Sequence, residues 1–202
     1  IQSVGKVCDS RFNPLKIDEG LIDSLNKQSF PVIDPSSEPK MREYIENARM
    51  SQDSTGGVIE CVATGMPAGI GSPMFGGVEN LISSIMFGIP AVKGIEFGAG
   101  FAITEMLGSQ ANDQYVYDEN GRVVTLSNNN GGITGGITNG MPILFRIAVK
   151  PTPSISKPQQ TVDLTKHENT ELVIHGRHDP CIVPRATVVA ESALAVALIN
   201  LL

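Results

Sequence analysis

From Glu171 onward the chain passes from a β-leaning run, Glu171-Leu172-Val173-Ile174, through a dense polar turn into an apolar stretch. The turn, His175-Gly176-Arg177-His178-Asp179-Pro180-Cys181-Ile182-Val183-Pro184-Arg185, holds two imidazoles, two guanidiniums, one carboxylate and one thiol. The apolar stretch runs from Thr187 to Leu202, with Glu191 and Asn200 its strongly polar members. This order predicts a strand, a tight turn and a helix. Pro180 fixes φ at one corner, and Pro184 suits the first turn of a helix, where its missing N–H is not needed. A helix apolar nearly all round is expected to be buried in a larger body or against a partner subunit.

Three chemical readings fit the turn. Arg177 can hold a phosphate or carboxylate while Asp179 acts as a base. His175, His178, Asp179 and Cys181 can bind a metal, although one Cys without a CxxC partner lacks the spacing of a zinc site. Arg177 and Asp179, two apart, can also form a structural ion pair, in which the cation keeps the carboxylate ionised.

A chain of 202 residues suits one domain, residues 1–202, and is long enough to bury a core. Its formal charge of −6 argues against broad nucleic-acid binding, because no basic stripe is present. Cys8, Cys61 and Cys181 are odd in number and scattered, which fits a reducing cytoplasm better than a disulfide framework. No apolar run approaches the length that spans a bilayer. The first residues, Ile1-Gln2-Ser3-Val4-Gly5, lack both an initiator Met and a signal-peptide pattern, so a fragment of a longer chain is expected. Aromatics make up 5% and Trp is absent, so the core must be built from Ile, Val, Leu, Met and Ala.

Along the chain, 1–8 alternates weakly as a strand, and 14–27 carries one helical stripe. Ser36 and Pro39 open a second helix, with a body from Lys40 to Gln52. Gly57–Ala63 reads as a strand with Glu60 its one charge. The loop 64–73 leads to a helix over 72–86, whose face holds Phe75, Val78, Leu81, Ile82, Ile85 and Met86 and which Gly88 caps. Pro90 to Phe97 returns as a strand, followed by a short helical piece ending near Leu107. Asp118-Glu119-Asn120-Gly121 between Tyr115-Val116-Tyr117 and Val123-Val124 signals a hairpin. Gly131 to Gly140 holds a near-tandem GGIT pair, either a backbone that approaches a flat or phosphorylated ligand or the tip of a mobile loop. Pro142 to Lys150 is the strongest strand. Behind Lys150, the hydroxyls of Thr152 and Ser154 sit two apart on a proline-stiffened segment, as a phosphate clamp or a plain exposed turn. Strands and helices do not alternate one by one, so the class is α+β.

The runs GGITGGITNGMPILFRIAVKPTPSI and GRHDPCIVPRATVVAESALAVAL, with STGGVIECVATGMPAGIGSPMF and PAVKGIEFGAGF, resemble the C-terminal half of chorismate synthase. That resemblance implies a helical core sandwiched between antiparallel β-sheets, a homotetramer, and a cytoplasmic lyase. It implies conversion of 5-enolpyruvylshikimate 3-phosphate, a small phosphorylated substrate, to chorismate and phosphate by 1,4 elimination. The family does this with reduced FMN and no net redox change; the resemblance brings NADPH with it, the flavin being reduced either externally or by an extra domain. By motif, the FMN contacts fall on Pro90 and Ala91, on Gly135, on Lys150, Pro151, Thr152, Pro153 and Ser154, and on Arg177. Asp179 falls in the proton-abstracting apparatus, and no metal is implied. Pro90 stands where a side-chain amide is common. The loop between Gly108 and Gly131 is short by the family's standard. The family's two active-site histidines lie in N-terminal motifs, a GxSHG segment and an Arg- and Ser-rich segment, that do not occur here; His167, His175 and His178 do not match them. The alternative is a truncated, non-catalytic fragment that keeps part of the FMN site and an oligomerisation surface.

Overall fold

The computed structural model of the protein describes residues 1–176 and 178–202. In chain order its elements are β1 (Ser3–Val4), β2 (Val7–Cys8), α1 (Glu19–Asn26), α2 (Ser37–Met50), β3 (Gly57–Ala63), α3 (Val78–Phe87) and β4 (Val92–Phe97). The one-turn α4 (Gly108–Ala111) follows, then β5 (Tyr115–Tyr117), β6 (Val123–Thr125), β7 (Ile133–Thr134), β8 (Ile137–Thr138) and β9 (Ile143–Val149). The chain ends with β10 (Gln159–Asp163), β11 (Glu168–Leu172) and α5 (Val183–Ile199).

The class is α+β, as expected, with every strand pair antiparallel. Five strands form one sheet in the order β2-β1-β3-β9-β4, and the pairs β5–β6, β7–β8 and β10–β11 stand as separate ribbons. β9 is central because its alternating Ile143, Phe145, Ile147 and Val149 are all buried on one face. That face meets α3 through Val78, Ile82 and Met86, and α5 through Ala190, Leu194 and Ala197, in one core cluster. Each fully buried aliphatic side chain contributes about 1.5–3 kcal/mol through lost water contact.

On the other face of the sheet Glu60 of β3, Arg146 of β9 and Glu96 of β4 lie in register, side by side. The Arg146 guanidinium donates from Nε to Glu96 Oε1 at 2.7 Å, from Nη1 to Glu60 Oε1 at 3.2 Å and from Nη2 to the Gly98 carbonyl at 2.7 Å. The remaining carboxylate oxygens accept from the Phe12 and Phe101 N–H groups at 3.0 and 3.1 Å. Burial works to raise the Glu96 carboxyl. The bonds from Arg146 and Phe101, with the nearby cationic charge, outweigh it and hold the group below the usual carboxylate range.

Several local expectations shift. The strand over 1–8 is two short strands broken at Gly5-Lys6. The helix expected over 14–27 starts only at Glu19, because the Asp18 carboxylate caps it by accepting the Gly20 N–H at 2.8 Å. Ser36 makes no cap bond; its hydroxyl donates to Asp34 instead, at 2.8 Å. The helix expected over 72–86 splits, since Gly77 is extended (φ −68°, ψ 158°): a short 3-10 turn covers Met74–Gly76 and α3 begins at Val78. Phe75 is therefore exposed rather than on the buried face, and Gly88 ends α3 in right-handed geometry (φ −70°). The strand expected over 171–174 sits further upstream, as the wholly exposed β11. α5 begins at Val183, before the Thr187 expected, with Pro184 in its first turn. The hairpin expected at Asp118 to Gly121 forms as β5–β6, and a second hairpin, not expected, forms as β7–β8. In β7–β8 the two-residue loop Gly135-Gly136 has φ of +63° and +83°, the double left-handed geometry of a type I′ turn.

Candidate functional site

The residues expected to hold a flavin and a phosphate divide between the two ends of the sheet. At one end β4 begins and β9 finishes. There the Lys150 N–H donates to the Ala91 carbonyl at 2.9 Å, so Pro90-Ala91 and Lys150-Pro151 are neighbours. Ala91 takes φ of +75°, a left-handed backbone that a residue with a Cβ adopts at a cost and that clusters at functional sites. Beyond β9 the arm Lys150-Pro151-Thr152-Pro153-Ser154 has no regular structure, because its prolines cannot continue the ladder. Lys150, Pro151 and Pro153 are exposed, and Thr152 and Ser154 are half-buried.

The polar turn before α5 reaches the same end. The Thr55 N–H donates to the Pro180 carbonyl at 2.8 Å, and the Ser54 hydroxyl donates to the Thr152 carbonyl at 2.6 Å. One short segment thus touches both the 150–154 arm and the 178–182 turn. Asp179 is half-buried; its Oδ1 accepts the Cys181 N–H at 3.2 Å and its Oδ2 meets Arg185 Nη1 at 3.1 Å. The expected partner Arg177 lies outside the described residues. The observed partner, Arg185, lies six residues beyond Asp179 in the first turn of α5 and is mostly exposed, so the pair adds little stability. The His178 ring nitrogen Nε2 lies 3.3 Å from the Ile174 carbonyl.

Burial pushes the Cys181 thiol up to about 11, aided by the Asp179 charge and opposed by the Val183 N–H. A thiol there is protonated at neutral pH, whereas a metal ligand must be the thiolate. Among the described residues no group of three His, Cys, Asp or Glu side chains is arranged to hold a metal ion.

Gly135 is placed elsewhere. The Gly136 carbonyl accepts the Val78 N–H at 2.9 Å, so the β7–β8 turn sits at the start of α3, whereas Pro90 and Ala91 follow its end. The ten residues of α3 separate them by roughly 15 Å. Within this chain the turn and the arm do not form one cradle. Gly135 is exposed, and a Cβ there would meet no atom within 4 Å, which leaves room for a close ligand.

The end of the sheet that carries Gly135 is held by a hydrogen-bond hub. Asp113 accepts from the Ser127 hydroxyl and the Asn129 N–H, both at 2.7 Å, and from the Asn130 N–H and side-chain amide at 2.9 and 2.8 Å. Burial works to raise this carboxyl, but those bonds outweigh it and hold it below the usual range. Asn128 bridges the carbonyls of Pro14 and Pro142, both at 2.9 Å.

A cleft of about 190 Å³ opens away from all these residues, along the edge of β3 that β1 leaves unpaired. Phe12, Ile22, Ile59, Cys61, Thr187 and Glu191 are among its lining. Burial pushes the Cys61 thiol up to about 12. None of the expected site residues lines this cleft, and a separate polar hollow lies elsewhere. That hollow, of about 330 Å³, is bordered by Asn47, Ser51, Asp53, Ser54 and Thr55, beside the arm.

Known proteins can now be set against this geometry. A protein-family model described as chorismate synthase matches residues 1–202. The chain belongs to the chorismate synthase family. It is 46% identical to the chorismate synthase of Lachnoclostridium phytofermentans over 191 residues, which is 94% of this chain and 52% of that protein. It is 53% identical to the chorismate synthase of Thermococcus gammatolerans over 156 residues, 77% of this chain and 44% of that one. The crystal structure of a chorismate synthase superposes with a TM-score of 0.79 at 28% identity, covering 100% of this chain and 55% of that chain. The chain spans about half the length of the curated relatives it matches.

The segment Asp53-Ser54-Thr55, which links the arm and the turn, was given no role at any of its three residues by sequence reasoning, although Ser54 and Thr55 open one of the runs that carry the family resemblance. Its signal is weak: short hydroxyl residues between a helix end and the paired Gly56-Gly57 of a strand start.

Proposed function

We propose that the chain forms, as one folding unit over 1–202, part of the flavin and phosphate site of a chorismate synthase. The reaction is conversion of 5-enolpyruvylshikimate 3-phosphate to chorismate and phosphate. A C–O bond breaks with its electron pair leaving on phosphate, a C–H proton is lost, and a new double bond balances the two. Reduced FMN, when bound, supplies electron density that eases phosphate departure without net redox change.

The residues present suit that group. Lys150 offers an exposed ammonium, and Thr152 and Ser154 offer hydroxyls on a proline-stiffened backbone, the donor set that a phosphate requires. Pro90 and Ala91 border the arm, and the strained backbone at Ala91 supports a role in ligand contact. Gly135 and Arg177 belong to the same assignment by motif, Gly135 from the opposite end of α3. Asp179, anchored by the Cys181 N–H and by Arg185, takes up or passes on the departing proton. The observation that carries the reading is the pair of hydrogen bonds, Ser54 to Thr152 and Thr55 to Pro180, that bring the phosphate-type arm beside the Asp179 turn.

Further parts of the proposal are a homotetramer working in the cytoplasm. The exposed Val188, Val189, Val196 and Ile199 of α5 support burial against other protein. No helix among the described residues is long and apolar enough to cross a membrane.

Titration of oxidised FMN into the purified chain tests the binding part. Saturable micromolar binding, weakened about tenfold in Lys150→Ala, is the expected result; no saturable binding contradicts it. A second reading, binding without turnover, is favoured by the separation of Gly135 from the 150–154 arm along α3. Saturable FMN binding with no phosphate release from substrate under reduced FMN selects it.

A further inference from the structure

The arm 150–157 poses a problem of order. Pro151 and Pro153 have no N–H, so the segment cannot pair as a strand, and its carbonyls must find partners outside a ladder. The Ser54 hydroxyl fills that need at the Thr152 carbonyl across 98 residues of sequence, at 2.6 Å. Next to it Asp53 Oδ2 receives Lys157 Nζ at 2.6 Å, while Asp53 Oδ1 accepts the Ser54 N–H at 2.8 Å. The two residues therefore grip the arm at two points and lock one another. Thr55, next in line, holds the Pro180 carbonyl. Gly56 completes the seat: a Cβ there would come within 2.2 Å of the Val149 carbonyl and 3.0 Å of the Pro151 ring.

The location of these bonds decides what they do. Asp53 and Lys157 are 39% and 45% exposed, and ion pairs in that setting contribute little to global stability. The Lys157 bond, then the Ser54 N–H, hold the Asp53 carboxyl below the usual range, so the pair is charged at neutral pH. Contacts that stabilise weakly yet converge on one irregular segment act on its shape.

We propose that Asp53 and Ser54 are positioning residues: they fix the 150–157 arm, and through Thr55 the 178–182 turn, in the arrangement that a phosphate-bearing ligand meets. The ligand class rests on the functional reading above, whereas the ordering of the arm does not.

Hydrogen exchange followed by mass spectrometry on the whole chain tests the ordering. Ser54→Ala and Asp53→Asn should speed exchange of the Ile155 amide, whose N–H donates to the Pro153 carbonyl at 3.1 Å within the arm, about tenfold and leave the β3–β9 ladder unchanged, because the global fold does not depend on these bonds. Ser54→Thr keeps the hydroxyl and should restore the slow exchange. Oxidised FMN should bind about fivefold more weakly to Ser54→Ala than to the wild type or Ser54→Thr. Unchanged arm exchange in both variants overturns the proposal, and so does an equal rise across the ladder, which marks a merely structural role. Faster arm exchange together with unaltered FMN affinity overturns the positioning role. Faster arm exchange with no FMN binding even in the wild type upholds the ordering and removes the flavin reading.

Discussion

Arg146 is tied to partners 48 to 86 residues away and Asp179 to partners two and six residues away, and the two charges sit in opposite surroundings. Arg146 lies inside the sheet, with Nε, Nη1 and Nη2 given to Glu96, Glu60 and the Gly98 carbonyl and its side chain 5% exposed. Asp179 lies on a turn, its side chain 28% exposed, and its partner Arg185 is 82% exposed. The first charge is committed on every side to protein; the second leaves one flank open. Saturated charges hold strands in register, and charges that still face open space are the ones that can meet a ligand or move a proton.

The largest effect should come from breaking the saturated group. Arg146→Met strands Glu60 and Glu96 beside each other with their cation gone, which should cost about 3–5 kcal/mol in urea unfolding. Arg146→Lys should rescue little, because a point charge cannot reproduce the fork that reaches three acceptors. A loss under about 1 kcal/mol for Arg146→Met would erase the contrast.

Asp113 provides an intermediate case: buried like Arg146, but holding loops rather than strands. Its carboxyl is lowered in the folded chain, so its contribution is fully present above the unfolded carboxylate value near ~4 and is lost as pH falls below that. Asp113→Asn should cost about 1–3 kcal/mol at pH 7 and flatten the acid limb of the stability profile. An identical limb in variant and wild type would show that Asp113 is not the group responsible. The smallest effect on stability belongs to the open pair. Arg185→Gln should change the unfolding free energy by about 0–1 kcal/mol.

Legibility in the sequence follows the same division. The β9 run Pro142 to Lys150 announced itself because a buried central strand needs a near-continuous apolar run. The turn at Asp118 to Gly121 announced itself because only a few residues adopt its angles, whereas the glycines at 135–136 were read as a ligand-approaching backbone or a loop tip and not as the hairpin they form. Glu60 stood out as a lone charge in a strand, yet its partners did not, since register across β3, β9 and β4 is a tertiary fact. Asp179 was marked by local density of charge, whereas its contact with Arg185 was not. The spacing favoured Arg177, which lies outside the described residues, and the helix begun at Val183 brings Arg185 around to the carboxylate. Gly135 and the 150–154 arm share a motif assignment, and only the path of α3 shows that they stand at opposite ends of it. Asp53-Ser54 was silent because its meaning lies in partners about a hundred residues away.

The most direct test of the central contrast is the Asp179→Asn variant, with phosphate release under reduced FMN and the urea midpoint measured on the same sample of a form that turns over. The account predicts turnover reduced about 100-fold or more, with FMN affinity kept and stability within about 1 kcal/mol of the wild type. Unchanged turnover, or a loss that merely tracks unfolding, would contradict it.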